Sequence, residues 1–520
     1  VQIIDDKALL FRTRNPAKYH VIPKHKVVNE FEDGTSEIAV YWGLDEARVL
    51  KNLGVKNVPS PITRRYAWPG KYKPMAHQME TASFLTLNKK AFVFSEPGTG
   101  KTLSALWAAD YLMDRGDVRR CLILCPLSIM QSAWLNDLNN SIIHRSAIIA
   151  HHYQAARRIE MVQQNYEFVI ANYDGLNLIA DEINNDGRFD LVIVDEANAY
   201  KTMSTKRWKA LKSILHAGTH LWMMTGTPAS QSPEDAYGLA RLVNPDGVPK
   251  FFTGWRDKVM NKVTQFKWVP KASAAAEVHA ALQPAIRFTK EQCLDLPPVI
   301  TMTRDVPLTP QQAKYYNLLK ERMMVQAAGE TITAINAAAG VSKLLQISCG
   351  AAYTDNKEVI EFDSAPRLAV LEEILNETSR KVIIFALFRS TIDTIHKHLT
   401  KKNIATECIH GDIPPSKRAD TIRRFQNETD PRVLVMQPQA SAHGITLTAA
   451  DTVVFYGPLM SVEQYIQCIA RADRKGQDSD KVTVIHIQGS PIEKKRFKDL
   501  ENKVDDNTSL TNLFMAEIKS

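Results

Sequence analysis

Near-continuous apolar runs recur along two tracts of the chain, with helix-period stretches between them. The first tract begins at Pro74 and carries runs at 91–94, 121–125, 167–171, 190–195 and 220–224. The second begins near residue 364, with runs at 381–385, 405–409, 432–436, 452–455 and 481–487. Strands that are apolar throughout, alternating with helices, predict parallel sheets covered on both faces. The expectation is an α/β chain with two parallel-sheet units. In such sheets the working residues gather at the carboxyl ends of the strands. Ser95 follows the first run, Pro126 the second and Asn172 the third; Asp195 ends the fourth, and Thr225 follows the fifth.

The rest of the chain reads differently. Residues 1–73 form a small accessory module, with β-like runs at Ala8–Arg12, Tyr19–Pro23 and Glu37–Trp42 and a helical stretch at Asp45–Leu53. Pro59, Pro61, Pro69, Gly70 and Pro74 then punctuate a linker. The module carries no evident chemistry and fits either an accessory nucleic-acid contact or a brace. From about 234 to 355 the pattern is mostly helical. Thr309-Pro310 is a helix start, a capping hydroxyl followed by Pro at the first helical position. The helix Gln311–Ala328 is expected to carry Tyr315, Leu318, Leu319 and Met323 on one face. The expected division is an N-terminal module (1–73), a first lobe (74–240), helical insertions (241–363), a second lobe (364–490) and a helical tail (491–520).

Composition narrows this only a little. A chain of 520 residues with 44% apolar and 23% charged residues is a globular chain of two or three domains. No uninterrupted apolar stretch is long enough to span a bilayer, so no membrane partner is expected. The first residues, V-Q-I-I-D-D-K, have neither a basic start nor a signal-like run and lack Met, which fits a processed or trimmed terminus. The net charge of +8 fits a polyanionic partner. Six cysteines show no paired metal spacing, and Cys121 and Cys125 lie inside an apolar run as core thiols. A reducing compartment follows.

The chemistry centres on Ser95–Thr102, S-E-P-G-T-G-K-T, between an apolar run and a helix-like stretch. Strand, tight loop and helix in that order make a phosphate cradle, with backbone N–H groups of Thr99 and its neighbours aimed at the anion. Gly98 and Gly100 let the backbone turn, Lys101 supplies a charge for β- and γ-phosphates, and Thr102 a hydroxyl for Mg²⁺. Ser95 stands where the full pattern has Gly. The fourth run reads L-V-I-V-D-E-A-N. Asp195 is expected to hold Mg²⁺ through water, and Glu196 to orient the attacking water. Thr225 and Thr227, in T-G-T-P, are placed to sense the γ-phosphate. Arg471 and Arg474, three apart and so on one helical face, are arginines of the kind that stabilise transition-state charge on a phosphoryl group. Two α/β units with one phosphate loop point to a nucleotide bound between them.

These stretches, taken in order from about Pro74 to Ile487, resemble the SWI/SNF-related DNA translocases of the superfamily-two helicase-like ATPases. H-Q-M-E (77–80) resembles the glutamine motif, which implies that Gln78 reads adenine. C-P-L-S-I-M-Q-S-A-W (125–134) is similar to motif Ia. Phe251-Phe252 and L-D-L-P-P (294–298) resemble family elements of the helical insertion. V-I-I-F-A-L-F (382–388), I-H-G-D (409–412), G-I-T-L-T-A-A-D (444–451) and R-A-D-R-K-G-Q (471–477) complete the second lobe. The chain departs from the pattern at Asn198, Gln439, Ser441, Thr446, Ala470 and Asp473. The resemblance implies two tandem RecA-like lobes, ATP and Mg²⁺ as cofactors, and double-stranded DNA, including forked or branched DNA, as partner. It implies coupling roles for Gly444 and Gln467 beside Thr225 and Thr227. Candidate DNA contacts are Ser128, Asn172, Tyr173, Gln437, Ser441 and His443. A compact bacterial or viral genome-maintenance ATPase is expected, in the cytoplasm or nucleoid, or in host cytoplasm if viral. The alternatives are a strand-separating helicase on DNA or RNA and a scaffold that uses ATP as a switch.

Overall fold

The computed structural model describes residues 1–504 apart from 227, 230–231, 265–267, 294–295, 330–333, 354–357, 442–444 and 503; the side chains of 128, 132, 323–329, 334–338 and 441 are not described. The described chain forms two compact units, one over residues 1–293 and one from Leu294 on.

The first unit is built on a seven-stranded sheet. Its spatial order is Ala285–Ile286, Lys90–Val93, His220–Met224, Phe189–Val194, Arg120–Cys125, Phe168–Asn172 and Ala147–Ile149, with every neighbour parallel. The apolar runs are continuous because both faces are covered. Along the two strands Lys90–Val93 and Arg120–Cys125, Phe92, Leu122 and Leu124 join one core, while Ala91, Val93, Cys121 and Ile123 join the core on the opposite face. Each fully buried aliphatic or aromatic side chain contributes about 1.5–3 kcal/mol. Two strands escaped the pattern, Ala147–Ile149 and the two-residue Ala285–Ile286.

The accessory module is a four-stranded antiparallel sheet of Gln2–Ile4, Ala8–Thr13, Ser36–Tyr41 and His25–Glu30, in that spatial order. Ser36–Tyr41 alternates buried and half-buried residues, the signature of a sheet with one covered face. Tyr19–Pro23 is not a strand: Pro16–Tyr19 is a 3-10 turn that drops Tyr19 into the module's core beside Phe11. The module is bonded to the rest of the first unit. Arg48 donates to the Thr86 carbonyl (3.1 Å) and pairs with Asp117 (3.2 Å). In the linker, Tyr66 donates to the buried Asp110 (2.5 Å), and Trp107 Nε1 to the Pro69 carbonyl (3.1 Å).

The second unit has a six-stranded parallel sheet in the order Val299–Asp305, Val482–Gln488, Ala450–Phe455, Lys381–Phe385, Val433–Met436 and Thr406–Ile409. The region expected to be helical insertions therefore contributes a strand to each sheet, Ala285–Ile286 to the first and Val299–Asp305 to the second. The second of these is solvent-exposed along most of its length, so it lacks the apolar pattern of a central strand. The helix Pro310–Gly329 starts as expected, with Thr309 Oγ1 accepting the Gln312 N–H (3.3 Å). Its inward face matches the expected one only in part, at Leu319, which packs against a core of Tyr316, Leu344 and Ile347. Gln312 and Tyr316 are buried, whereas Tyr315 and Leu318 are exposed and Met323 lies outside the described side chains. Gln312 is buried because its amide donates to the Ile347 (2.8 Å) and Ser348 (3.2 Å) carbonyls, a pairing that an apolarity pattern does not register.

A buried ion pair ties this unit together. Arg367 donates to Glu493 Oε1 (2.7 Å) and to the carbonyls of Tyr456, Ile487 and Ser348. Removing one partner leaves an uncompensated charge, which costs about 3–5 kcal/mol. Glu493→Ala is expected to destabilise the protein by about that much in denaturant unfolding, and Arg367→Met/Glu493→Leu by clearly less.

Candidate functional site

The carboxyl edge of the first sheet collects the expected chemistry by strand order alone. His220–Met224 lies between Lys90–Val93 and Phe189–Val194, so the turn at Thr225 separates the phosphate loop from Asp195. Thr225 is fully buried and its N–H donates to the Val93 carbonyl (3.0 Å). Gly226 lies against Pro97 of the loop, where a Cβ would come within 2.8 Å of the proline Cδ. Thr227 lies outside the described residues.

The loop itself is held from three sides. Gly98 and Gly100 have φ of 92° and 77°, backbone that favours glycine. Thr99 Oγ1 donates to the Glu96 carbonyl (2.8 Å), and its own carbonyl contacts His77 Nε2 (2.8 Å). Gln78 sits on the helix Ala76–Leu87, where Oε1 accepts the Met75 N–H (2.9 Å) and Nε2 reaches the Gly100 carbonyl at 3.5 Å. It is thus built against the loop. Ser95 has a structural reason to replace Gly: its Oγ accepts the Phe288 N–H (3.1 Å), bracketing the loop to the strand Ala285–Ile286. Glu96 completes the bracket. Its N–H donates to the Phe288 carbonyl (3.0 Å), its carboxylate accepts the Lys290 N–H (3.0 Å), and Arg287 lies 3.6 Å away. Burial depresses the Arg287 pKa to about 10, and Glu96 opposes the shift.

The loop opens directly into the helix Lys101–Asp114, with Thr102 in its first turn. Lys101 Nζ rests on the Ser95 (2.7 Å) and Glu96 (3.2 Å) carbonyls, curled into its own loop. Asp195 is buried. Burial raises its carboxyl pKa, and three features oppose this: the Lys101 charge, the Trp134 hydrogen bond and the Glu196 N–H. Trp134 Nε1 donates to Oδ2 (3.0 Å), and the Glu196 N–H to Oδ1 (3.0 Å). Glu196 adopts a left-handed backbone (φ 49°), a conformation costing about 1–3 kcal/mol that concentrates at functional sites. A glycine-shaped loop at a helix N-terminus, an ammonium, a hydroxyl and a carboxylate form a donor set that fits a nucleotide triphosphate with Mg²⁺.

The remaining candidates divide. Asn172 ends its strand and accepts from Arg158 (3.2 Å), while the Tyr173 hydroxyl turns inward to the Asp195 carbonyl (2.6 Å). Ser128 lies in the 3-10 turn Leu127–Ile129, its side chain outside the described set. In the second unit Gln437 Oε1 accepts the Gly411 N–H (3.4 Å), and Gln467 is buried on the helix Val462–Ile469. Ser441 lies in the turn Pro438–Ser441 with its side chain undescribed, and His443 and Gly444 lie outside the described residues. Arg471 and Arg474 do not share a helical face, because the helix ends at Ile469 and both arginines follow in turns. They converge instead on the Ile445 carbonyl, each at 3.3 Å, and Arg474 also donates to Thr446 Oγ1 (3.1 Å). The departure at Thr446 thus supplies a hydroxyl for Arg474.

Sequence reasoning missed Trp134, Glu96 and Arg287 as parts of the site. Trp134 and Glu96 stand inside recognised stretches, but apolarity and loop chemistry gave them no role. Arg287 follows a strand too short to read. Among the described residues one cluster has metal-ligand types, Asp110, Asp114 and His144, but Arg145 bonds both aspartates and Tyr66 bonds Asp110, so these carboxylates are already engaged within the protein.

The chain matches the SNF2-related domain over residues 77–350 and the helicase conserved C-terminal domain over 366–476. It is 26% identical over 419 residues to putative protein p41 of Acyrthosiphon pisum secondary endosymbiont phage 1, covering 77% of this chain and 88% of that one. It is 27% identical over 431 residues to a Caenorhabditis elegans homologue of SWI/SNF-related matrix-associated actin-dependent regulator of chromatin subfamily A-like protein 1, covering 79% of this chain. It spans 58% of that nematode protein's length. Among solved structures, the Sulfolobus solfataricus SWI2/SNF2 ATPase core in complex with dsDNA aligns over 81% of this chain and 88% of its own, at 20% identity and a TM-score of 0.42.

The bracket at the loop is testable apart from activity. Glu96→Gln keeps an acceptor for the Lys290 N–H but strips the charge beside Arg287. It is expected to destabilise the first unit by about 1–3 kcal/mol, with Arg287→Met recovering part of the loss in a double-mutant cycle read by thermal unfolding.

Proposed function

We propose that this chain, which belongs to the SNF2-related family, couples ATP hydrolysis to movement along double-stranded DNA. Family membership makes it a DNA-dependent ATP hydrolase with tandem RecA-like lobes. The observation that carries the reading is the shared carboxyl edge, where adjacent strands deliver the phosphate loop, Thr225 and the Asp195–Glu196 pair.

In this reading the loop N–H groups and Lys101 bind the β- and γ-phosphates, Lys101 leaving the Ser95 and Glu96 carbonyls to do so. Bound Mg²⁺ would neutralise phosphate charge, and Thr102 and Asp195 are the residues that would hold it. Glu196 orients a water for attack, its left-handed backbone fixing the carboxylate relative to Asp195. Gln78 selects adenine. Arg471 and Arg474 are the second unit's contribution of positive charge to the transition state, and Thr225, Thr227, Gly444 and Gln467 relay the state of the site. Asn172, Gln437, Ser128, Ser441 and His443 contact the DNA backbone. Tyr173 is the weakest of the proposed contacts, since its hydroxyl is committed to Asp195.

The partner is duplex DNA, including forked or branched DNA, gripped through phosphates and therefore without sequence preference. The net charge of +8 supports a polyanionic partner. The match covering most of a phage protein supports a compact viral or bacterial role in genome maintenance, in the cytoplasm or nucleoid. No helix among the described residues is long and apolar enough to cross a membrane.

ATPase rates measured with duplex, forked and single-stranded DNA and with RNA test the reading. Stimulation by duplex is expected, falling steeply between about 50 and 200 mM salt. Stimulation by single strands alone would point to a strand-separating helicase and overturn it. Lys101→Ala and Glu196→Gln are each expected to lower kcat by about 10²–10⁴-fold, and Arg474→Ala by about 10³-fold, with circular dichroism unchanged. Near-normal turnover in any of the three removes that residue from the site, and full biological activity of Glu196→Gln would favour an ATP-switched scaffold.

A further inference from the structure

Trp134 is fully buried, and the indole N–H that would otherwise be stranded there is spent on one atom, Asp195 Oδ2 at 3.0 Å. A buried Trp needs a partner for this group, and a bond to an ionised carboxylate is of the strong class. The donor is not placed by ordinary helix geometry. After the strand Arg120–Cys125 the chain makes a 3-10 turn, Leu127–Ile129, and then a π-helical turn, Met130–Leu135, before the α-helix Asn136–Ser141 begins. Widened π turns are rare and concentrate at functional sites. Here the turn has two sides. Leu127 is 55% exposed and Gln131 is exposed, while Met130 and Trp134 are buried. One short segment thus presents a solvent-facing surface at the carboxyl edge of the sheet and, a turn later, grips the carboxylate.

We propose that Trp134 is a positioning residue, which sets the Asp195 carboxylate for Mg²⁺ and transmits to it the occupancy, by a DNA backbone, of the surface that carries the exposed Leu127 and Gln131. The inference rests on the ATPase reading above. The Glu196 N–H fixes Oδ1 and the Tyr173 hydroxyl fixes the Asp195 carbonyl, so the indole is the partner of Asp195 drawn from the segment after Cys125. A shift of that segment reaches the carboxylate through this bond, and loss of the bond frees Oδ2 to rotate. Removing an outer partner of a metal ligand typically weakens metal affinity about 10–100-fold.

The test uses the full chain with N-methylanthraniloyl-ADP as the probe, titrated in Mg²⁺ and in EDTA, with and without a blunt duplex of mixed sequence. Trp134→Phe removes the N–H and keeps an aromatic ring. The expected result is affinity in EDTA within about twofold of wild type, a Mg²⁺ half-saturation raised about tenfold, and loss of the duplex's effect on that half-saturation. Equal Mg²⁺ and duplex responses in Trp134→Phe and wild type overturn the inference and leave the ATPase reading intact. A wild-type chain that binds no nucleotide fails the ATPase reading itself, and the inference with it. Should Trp134→Phe not fold, hydrogen exchange of the wild-type 126–136 peptide supplies the second measurement. Protection by Mg²⁺–nucleotide and by duplex is expected, and protection by neither overturns the coupling.

Discussion

A carboxylate withdrawn from water at the end of a parallel strand is the constraint on which the site depends. Asp195 has to remain ready to ionise in a buried position, where burial by itself favours the neutral acid. Lys101, the Trp134 indole and the Glu196 N–H act against burial, and each comes from a different part of the edge. Lys101 begins the helix after the phosphate loop, Trp134 ends the turn after the neighbouring strand, and Glu196 accepts a strained backbone. The site's geometry is in this sense the solution to one desolvation problem. It also explains why a loop, a strand end and a π-helical turn distant in sequence have to be built to one register.

The parts of the fold visible in the sequence were those where one physical pattern decides the outcome. Central parallel strands such as 121–125 and 433–436 must be apolar on both faces, so their residues could hardly be read otherwise. The phosphate loop was legible because glycine, lysine and threonine at fixed offsets have few other uses. Edge strands gave no such signal. Val299–Asp305 is mostly exposed, and Ala285–Ile286 is two residues long. The inward face of the helix Pro310–Gly329 was misread because Gln312 and Tyr316 are buried through hydrogen bonding and mixed packing, not simple apolarity. Arg471 and Arg474 were expected on one helical face, yet a carbonyl, Ile445, brings them together. Spacing read their proximity correctly and its cause wrongly.

The departures from the family pattern look different once the side chains are in place. Thr446 is one of these departures, and its hydroxyl takes the Arg474 guanidinium. Ser95 follows the same logic in the first unit. Glycine would leave the Phe288 N–H without its side-chain acceptor, whereas serine ties the loop to the strand beside it.

That tie has a consequence for how a nucleotide could be felt beyond the loop. Phe288 bonds Ser95 and Glu96, and Lys290 bonds the Glu96 carboxylate. The stretch 288–290 is therefore sewn to the phosphate loop within the first unit. Lys101 rests on the same two carbonyls, Ser95 and Glu96, that flank the seam. In the proposed reading Lys101 turns to a phosphate and those carbonyls lose their cation, at the two residues that 288–290 bond through the Ser95 hydroxyl and the Glu96 N–H and carboxylate. Arg287, buried and with Glu96 as its charged neighbour at 3.6 Å, adds an ion pair to the same seam.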